Sequence, residues 1–230
     1  IFTLVDARLL HNYFSTHDVE TFTREQQRAV SGFGVWESLA NLSRGAARLD
    51  PLYAIETPLE EQGGEISIPE LTKELYSDAN PGGLRATVYD HTVNVYGTTA
   101  NPFDPSQQLA QRPLDNVGVQ YGLLALNQSV ITAQQFLDLN QGIGGFDRDM
   151  NHVPQRHRAD SQANKRAIES GRILFGGAGL AVTPVIDYRT YNDHREGGDI
   201  HMIVHQFSTR QRLVNANGHA DNHVMQVGGQ

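Results

Sequence analysis

An aspartate just past a buried strand, with histidines one helix further on, is a pattern that can orient an imidazole for general-base work. Here the apolar stretch Thr183-Pro-Val-Ile-Asp-Tyr-Arg189 runs into Tyr191-Asn-Asp193, a helix is predicted from about Ile200 to Leu213, and His219 and His223 follow. Asp193 would accept a hydrogen bond from a ring nitrogen, fix the tautomer and stabilise the imidazolium formed when that histidine takes a serine proton. His219, in the polar turn Asn217-Gly-His-Ala-Asp-Asn-His223, is the first candidate for the base, and His223 is the alternative. That turn precedes the expected last strand, Val224-Met-Gln-Val227, whereas a triad base usually follows it, so a base beyond Gln230 stays open. Asp193 also has a plainer reading as a loop carboxylate that caps the next helix, a role Asp199 fits better. Asp187, inside the strand, reads as structural. The nucleophile is missing. No serine stands in Gly-x-Ser-x-Gly, and the nearest approach, Asn41-Leu-Ser43-Arg-Gly45, closes a predicted helix, not a strand-to-helix elbow, so Ser43 reads as structural too.

A metal reading competes. His201-Met-Ile-Val-His205 sets two imidazoles four residues apart, on one face of the predicted helix, with Asp193, His194 and Asp199 just upstream. That set would suit zinc in a metal-dependent hydrolase built on His201, His205 and Asp193 or Asp199, although the glutamate of His-Glu-x-x-His is lacking. Calcium has a weaker claim in Asp138-Leu-Asn-Gln-Gly-Ile-Gly-Gly-Phe-Asp-Arg-Asp149, where Gly142 falls on a ligand position and Ile143 on the turn-glycine position of an EF-hand. Gly176-Gly-Ala-Gly179 precedes a strand where a phosphate loop would follow one, so it reads as a helix-to-strand turn. No cofactor is therefore expected, with zinc and calcium as the alternatives.

The supporting elements change in texture along the 230 residues. Glu20 to Val30 and Val35 to Leu42 have helical spacing, broken by Gly32-Phe-Gly34. Residues 51 to 82 are rich in Pro, Gly and Glu and read as loop, with a short helix at Pro69 to Tyr76. Leu84 to Tyr96 is β-branched and aromatic and reads as a strand. Helices are expected at Pro113 to Leu126, at Ala133 to Leu139 behind the N-cap Thr132, and near Gln162 to Ser170. Trp36, Tyr89, Tyr96, Tyr121 and Phe146 are candidates to line an apolar pocket, though such aromatics are core residues in most domains.

Eighteen Lys and Arg stand against twenty-six Asp and Glu, a net charge of -8, which argues against a nucleic-acid surface. Zero cysteines exclude a disulfide framework or thiolate zinc site within these residues. No apolar run reaches the roughly 18 residues of a membrane span, and Ile1 to Leu10 lacks the zones of a signal peptide, so the chain reads as a processed or excised piece.

Four stretches carry a family likeness: Arg112-Pro-Leu-Asp-Asn-Val-Gly-Val-Gln-Tyr-Gly122, Phe136-Leu-Asp-Leu-Asn140 with Ile143-Gly-Gly-Phe-Asp147, Pro184-Val-Ile-Asp-Tyr-Arg189, and Asn217-Gly-His-Ala-Asp-Asn222. They resemble a poorly characterised bacterial domain-of-unknown-function family of large exported α/β-hydrolase-like proteins, of which this chain is similar to the middle-to-late portion. The resemblance implies an α/β fold, the C-terminal part of an α/β-hydrolase-like sheet with a large, mostly helical lid insertion. It further implies residues 1–17 as the end of a core segment, 18–170 as the lid and 171–230 as late core strands and helix. On this likeness the nucleophile serine sits on a companion polypeptide, the substrate is a small-molecule or oligomeric ester, and the location is extracellular or periplasmic. A noncatalytic partner-binding subunit is the remaining alternative.

Overall fold

The computed structural model describes residues 2–17, 21–47, 95–101, 104–106, 108–148 and 151–228. Helices α1 (Phe2–Thr16), α2 (Arg24–Ser31) and α3 (Glu37–Ala47) open the chain. Both ends of α2 are set locally. Thr23 and Gln26 form a reciprocal capping box, and Gly32 terminates the helix in the left-handed region at φ 74°. Leu9, Leu10, Tyr13 and Phe14 of α1 are buried in one apolar cluster with Phe22, Leu39 and Leu42. That cluster extends to Leu139, Ile143 and Phe146 much further along the chain. Each such side chain contributes about 1.5–3 kcal/mol on burial, so this cluster holds the helical region together.

Thr132 does cap a helix, α5 (Ala133–Gly142), through a second capping box with Gln135; the shorter α4 (Leu123–Asn127) precedes it. The two box glutamines meet: Gln135 Nε2 donates to Gln26 Oε1 at 3.2 Å and to the Thr21 carbonyl at 2.6 Å. The helix expected over Pro113 to Leu126 is mostly absent, since residues 111–122 run as loop before α4 begins. Gly118 and Gly122 adopt φ of 84° and 80°, which a right-handed helix does not use. Two small antiparallel pairs, β1 (Thr98–Ala100) with β2 (Gln108–Ala110) and β3 (Gly145–Phe146) with β4 (His152–Val153), lead to α6 (Ser161–Glu169). Ala163 and Ala167 of α6 bury Tyr96. Residues 95–96 are helical; the rest of the strand expected from Leu84, the loop over 51–82 and the short helix at 69–76 lie outside the described residues.

The tail is a β-α-β unit. The glycine run forms the expected helix-to-strand turn, a 3₁₀ turn at Ala178–Ala181, and leads to β5 (Val185–Thr190), α7 (Val204–Asn217) and β6 (His223–Gly228). Strands β5 and β6 are parallel, with Val185 opposite His223 and Thr190 opposite Gly228. Parallel strands need such a crossover helix. Fully buried Gln206 of α7 donates to the carbonyls of Asp187 at 2.6 Å and Gln226 at 3.2 Å. The opposite face lies open: register partners Ile186 and Val224 are 72% and 51% exposed, and Tyr188 is 61% exposed. Among the described residues no helix is long and apolar enough to cross a membrane.

Candidate active site: the acid loop after β5

The ladder ends where the Tyr191 amide donates to the Gly228 carbonyl at 3.3 Å, and the chain then enters the loop 192–203. Two tight turns follow, the Arg195 amide bonding the Asn192 carbonyl and the Gly198 amide bonding the Arg195 carbonyl. They fold the loop back so that the Ile203 amide donates to Asp193 Oδ1 at 2.8 Å, just ahead of α7. The N-cap of α7 is therefore Ile203 and not Asp199, and half-buried Asp193 holds the amide of that residue from ten positions back. Its second oxygen, Oδ2, has no protein partner among the described residues and is free to accept another hydrogen bond.

Asp199 is saturated. Its Oδ1 accepts from the His201 amide at 2.7 Å and bonds the His201 ring at 2.8 Å, while Arg195 bonds Oδ2 at 3.1 Å. Burial pushes its carboxyl upward, but the His201 amide and ring and the Arg195 guanidinium outweigh that and hold it below the ordinary carboxylate range. This geometry undoes the zinc set of His201, His205 and Asp199. Since α7 begins at Val204 and not at Ile200, His201 lies outside the helix and the two imidazoles share no helical face. His205 bonds the Ile200 carbonyl instead, at 3.3 Å. Among the described residues no three His, Cys, Asp or Glu side chains stand where they could share a metal ion. The calcium segment is likewise dispersed: Asp138 accepts from Gln134, Asn140 bonds both backbone groups of Tyr121, and Asp147 accepts from Asn151; Asp149 lies outside the described residues.

The two histidine candidates stand at the wrong end. In a parallel pair both strands point the same way, so His223 at the start of β6 and His219 four residues before it lie opposite the end that bears Asp193. Five residue steps of strand span about 16 Å, more than any side chain reaches. His219 pairs with Asp221 at 3.6 Å on the surface. His223 is buried, its Nε2 3.7 Å from Asp187 Oδ2, and Asp187 in turn stands 3.4 Å from Arg189 Nε. Asp187 is thus tied to its own strand and its neighbour, as the structural reading has it. Ser43 is buried on α3, and Tyr96, Tyr121 and Phe146 are buried core residues; Tyr89 lies outside the described residues.

Sequence reasoning missed a polar lattice beneath residues 112–122. Asn116, fully buried, accepts from the His157 amide at 2.9 Å and donates to the Gly144 carbonyl at 2.9 Å. Arg156 donates to the carbonyls of Asn116, Val119 and Asn140, and Arg112 to those of Phe146 and Asp147. Arg148 grips Asp160 with both terminal nitrogens, at 2.9 and 2.8 Å. Burial opposes ionisation of Asp160, but Arg148 and the Arg112 amide prevail and lower its pKa. Tyr121 donates to Asp6 at 2.6 Å; burial raises both acids. Burial, reinforced by the nearby Arg112 charge, pushes His157 down to about 4. The signal was present in the dense run of Arg, Asn and Asp between glycines, which a solvated loop does not need.

Taken together, the described elements form a chain of mixed α and β structure, with a parallel β-α-β unit that presents one half-engaged carboxylate. It belongs to the Tannase-like family of unknown function, whose family model matches residues 1–230. No curated protein and no solved structure matches the chain.

Proposed function

We propose that this chain is part of a serine-type carboxylic ester hydrolase in which Asp193 is the acid of the catalytic triad. The observation that carries the reading is the state of the Asp193 carboxylate: it stands past the C-terminal end of a parallel strand, one oxygen is fixed by the Ile203 amide and the other has no partner among the described residues. In open α/β sheets that end of the strands is where catalytic groups gather. The tannase-like character of the family favours an ester substrate. The serine hydroxyl, on a companion polypeptide, attacks the ester carbonyl as a histidine takes its proton. The C–O bond then breaks, the alcohol leaves with that proton, and water hydrolyses the acyl-enzyme. Asp193 Oδ2 accepts from the histidine's other nitrogen and stabilises the imidazolium.

The base in this reading is neither His219 nor His223, and it comes from outside the described residues. Its natural approach is past Gly228, whose carbonyl is bonded to the first amide of the acid loop. Residues 18–170 act as the lid over the ester, and the protein works outside the cytoplasm. Labelling the unseparated natural sample with a fluorophosphonate probe, followed by mass spectrometry of every co-purifying polypeptide, tests the proposal. A labelled serine on a companion chain is expected. Intact material without any labelled serine overturns it.

A further inference from the structure

The acid loop does not hold its own shape; the corner between α2 and α3 holds it. Fully buried Ser38, in the first turn of α3, accepts from the Asp199 amide at 3.1 Å. One turn later Asn41 Nδ2 donates to the Gly197 carbonyl at 2.8 Å. Gly198 lies flat against this turn: a Cβ there would run into the backbone of Glu37 and Ser38. Gly34 has the complementary constraint, because a Cβ on it would collide with the carbonyl of Asp193 itself and with the His194 ring. Met202, next to the residue whose amide anchors Asp193, is buried in the helical cluster of α1, α2 and α3. Four contacts from one corner thus converge on both shoulders of the carboxylate. Gly198 would be favoured by its φ of 77° alone, whereas Gly34, which has no positive φ, is constrained by the approach of the Asp193 backbone, and the Ser38 bond to Asp199 spans 161 residues of sequence.

From this convergence we propose that Gly34 and Ser38 are positioning residues for the triad acid, setting where the Asp193 carboxylate stands, so that movement of the α2–α3 corner changes catalysis. The inference rests on the reading of Asp193 as the acid. A side chain at position 34 pushes the Asp193 backbone away, and displacement of about 1 Å in a catalytic group can cost 10²-fold in rate. Loss of the Ser38 hydroxyl removes one hydrogen bond and should cost about 5-fold.

The test uses the protein as purified with its companion polypeptides, and p-nitrophenyl butyrate as the ester. Gly34→Ala and Ser38→Ala should lower kcat by roughly these factors with KM unmoved. In an Asp193→Asn background neither should lower it further, because the group being positioned has already lost its charge. Hydrogen exchange of the Ile203 amide, whose acceptor is Asp193, should quicken in Gly34→Ala without turnover being needed. Should Asp193→Asn be slow while the Gly34 and Ser38 changes cost nothing, or cost as much in its background, the positioning role falls and the acid stands. An Asp193→Asn protein as fast as the wild type removes the acid and this inference together. Unchanged exchange at Ile203 in Gly34→Ala overturns the inference whatever the activity.

Discussion

Around Asn116 the helical region satisfies its buried polar atoms from within, whereas beneath β5 and β6 several make no hydrogen bond to the protein, two of them facing Asp187 at ion-pair distance instead. Among the described residues these are both ring nitrogens of His223, Arg189 Nε, Gln206 Oε1 and Asn222 Oδ1; the helical side shows only Gln111 Oε1. The outer face of the β-α-β unit differs from the helical region in the same sense, with Ile186, Tyr188 and Val224 uncovered, although parallel strands are normally buried on both sides. One region is finished by its own sequence. The other carries the half-engaged acid and has the surface of an element that expects a neighbour.

The largest expected effect separates chemistry from stability. Asp193→Asn keeps an oxygen for the Ile203 amide but removes the charge, so turnover by the assembled sample should fall by about 10⁴-fold, the scale of losing a triad acid's charge. Thermal unfolding should not move; a fall in melting temperature matching the loss of activity would reduce Asp193 to a cap.

Asn116→Ala should do the reverse in kind, costing about 3 kcal/mol because it strips the partners of the His157 amide and the Gly144 carbonyl inside a buried lattice. Denaturant unfolding would read it. A cost below about 0.5 kcal/mol, the range of ordinary surface changes, would break the picture of the lattice as the frame of the helical region.

A gentler probe is pH. His157 titrates near 4 in the folded chain and near 6.5 when unfolded, so below about 6.5 the unfolded state binds a proton that the folded state refuses. Stability contributed by this site is complete above that pH and should decline as pH falls towards 4. His157→Asn should flatten that part of the profile; an unaltered slope would assign it to the carboxylates.

Smallest of all should be Ile186→Ser on the open face, within about 0.5 kcal/mol in the chain alone. Recovery of the companion polypeptide should nonetheless drop in co-purification. Full recovery would place the companion elsewhere.

The parts legible from sequence were those whose signals are local. Thr132 with Gln135, the Gly32 stop and the β-branched run into Thr190 named their elements because a cap, a left-handed glycine and a pleated apolar face act within a few residues. Residues 113–126 misled because their apolar spacing suits a helix, while Asn116, Asn140 and Arg156 pull the backbone into a loop through bonds reaching up to 41 residues away. The start of α7 was misplaced by four residues for a similar reason: Asp199 has the look of a cap, yet its carboxylate is engaged by His201 and Arg195, and Asp193 reaches the helix from further back. With that shift went the shared face of His201 and His205. Asp193 was visible as a carboxylate after a strand, but its second oxygen was not; the place of His219 ahead of the last strand was legible from the order of the turn and the run Val224 to Val227.

The bond between Ser38 and Asp199 also has a history in time. A ribosome delivers α1, α2 and α3 long before the acid loop, and closing a loop of 161 residues is slow and entropically costly compared with forming any helix nearby. During synthesis the helical region therefore exists first without its carboxylate in place. The Asp193 carboxylate reaches its place only when the tail docks, and a nascent chain interrupted before residue 199 would lack the Ser38 bond that closes the loop.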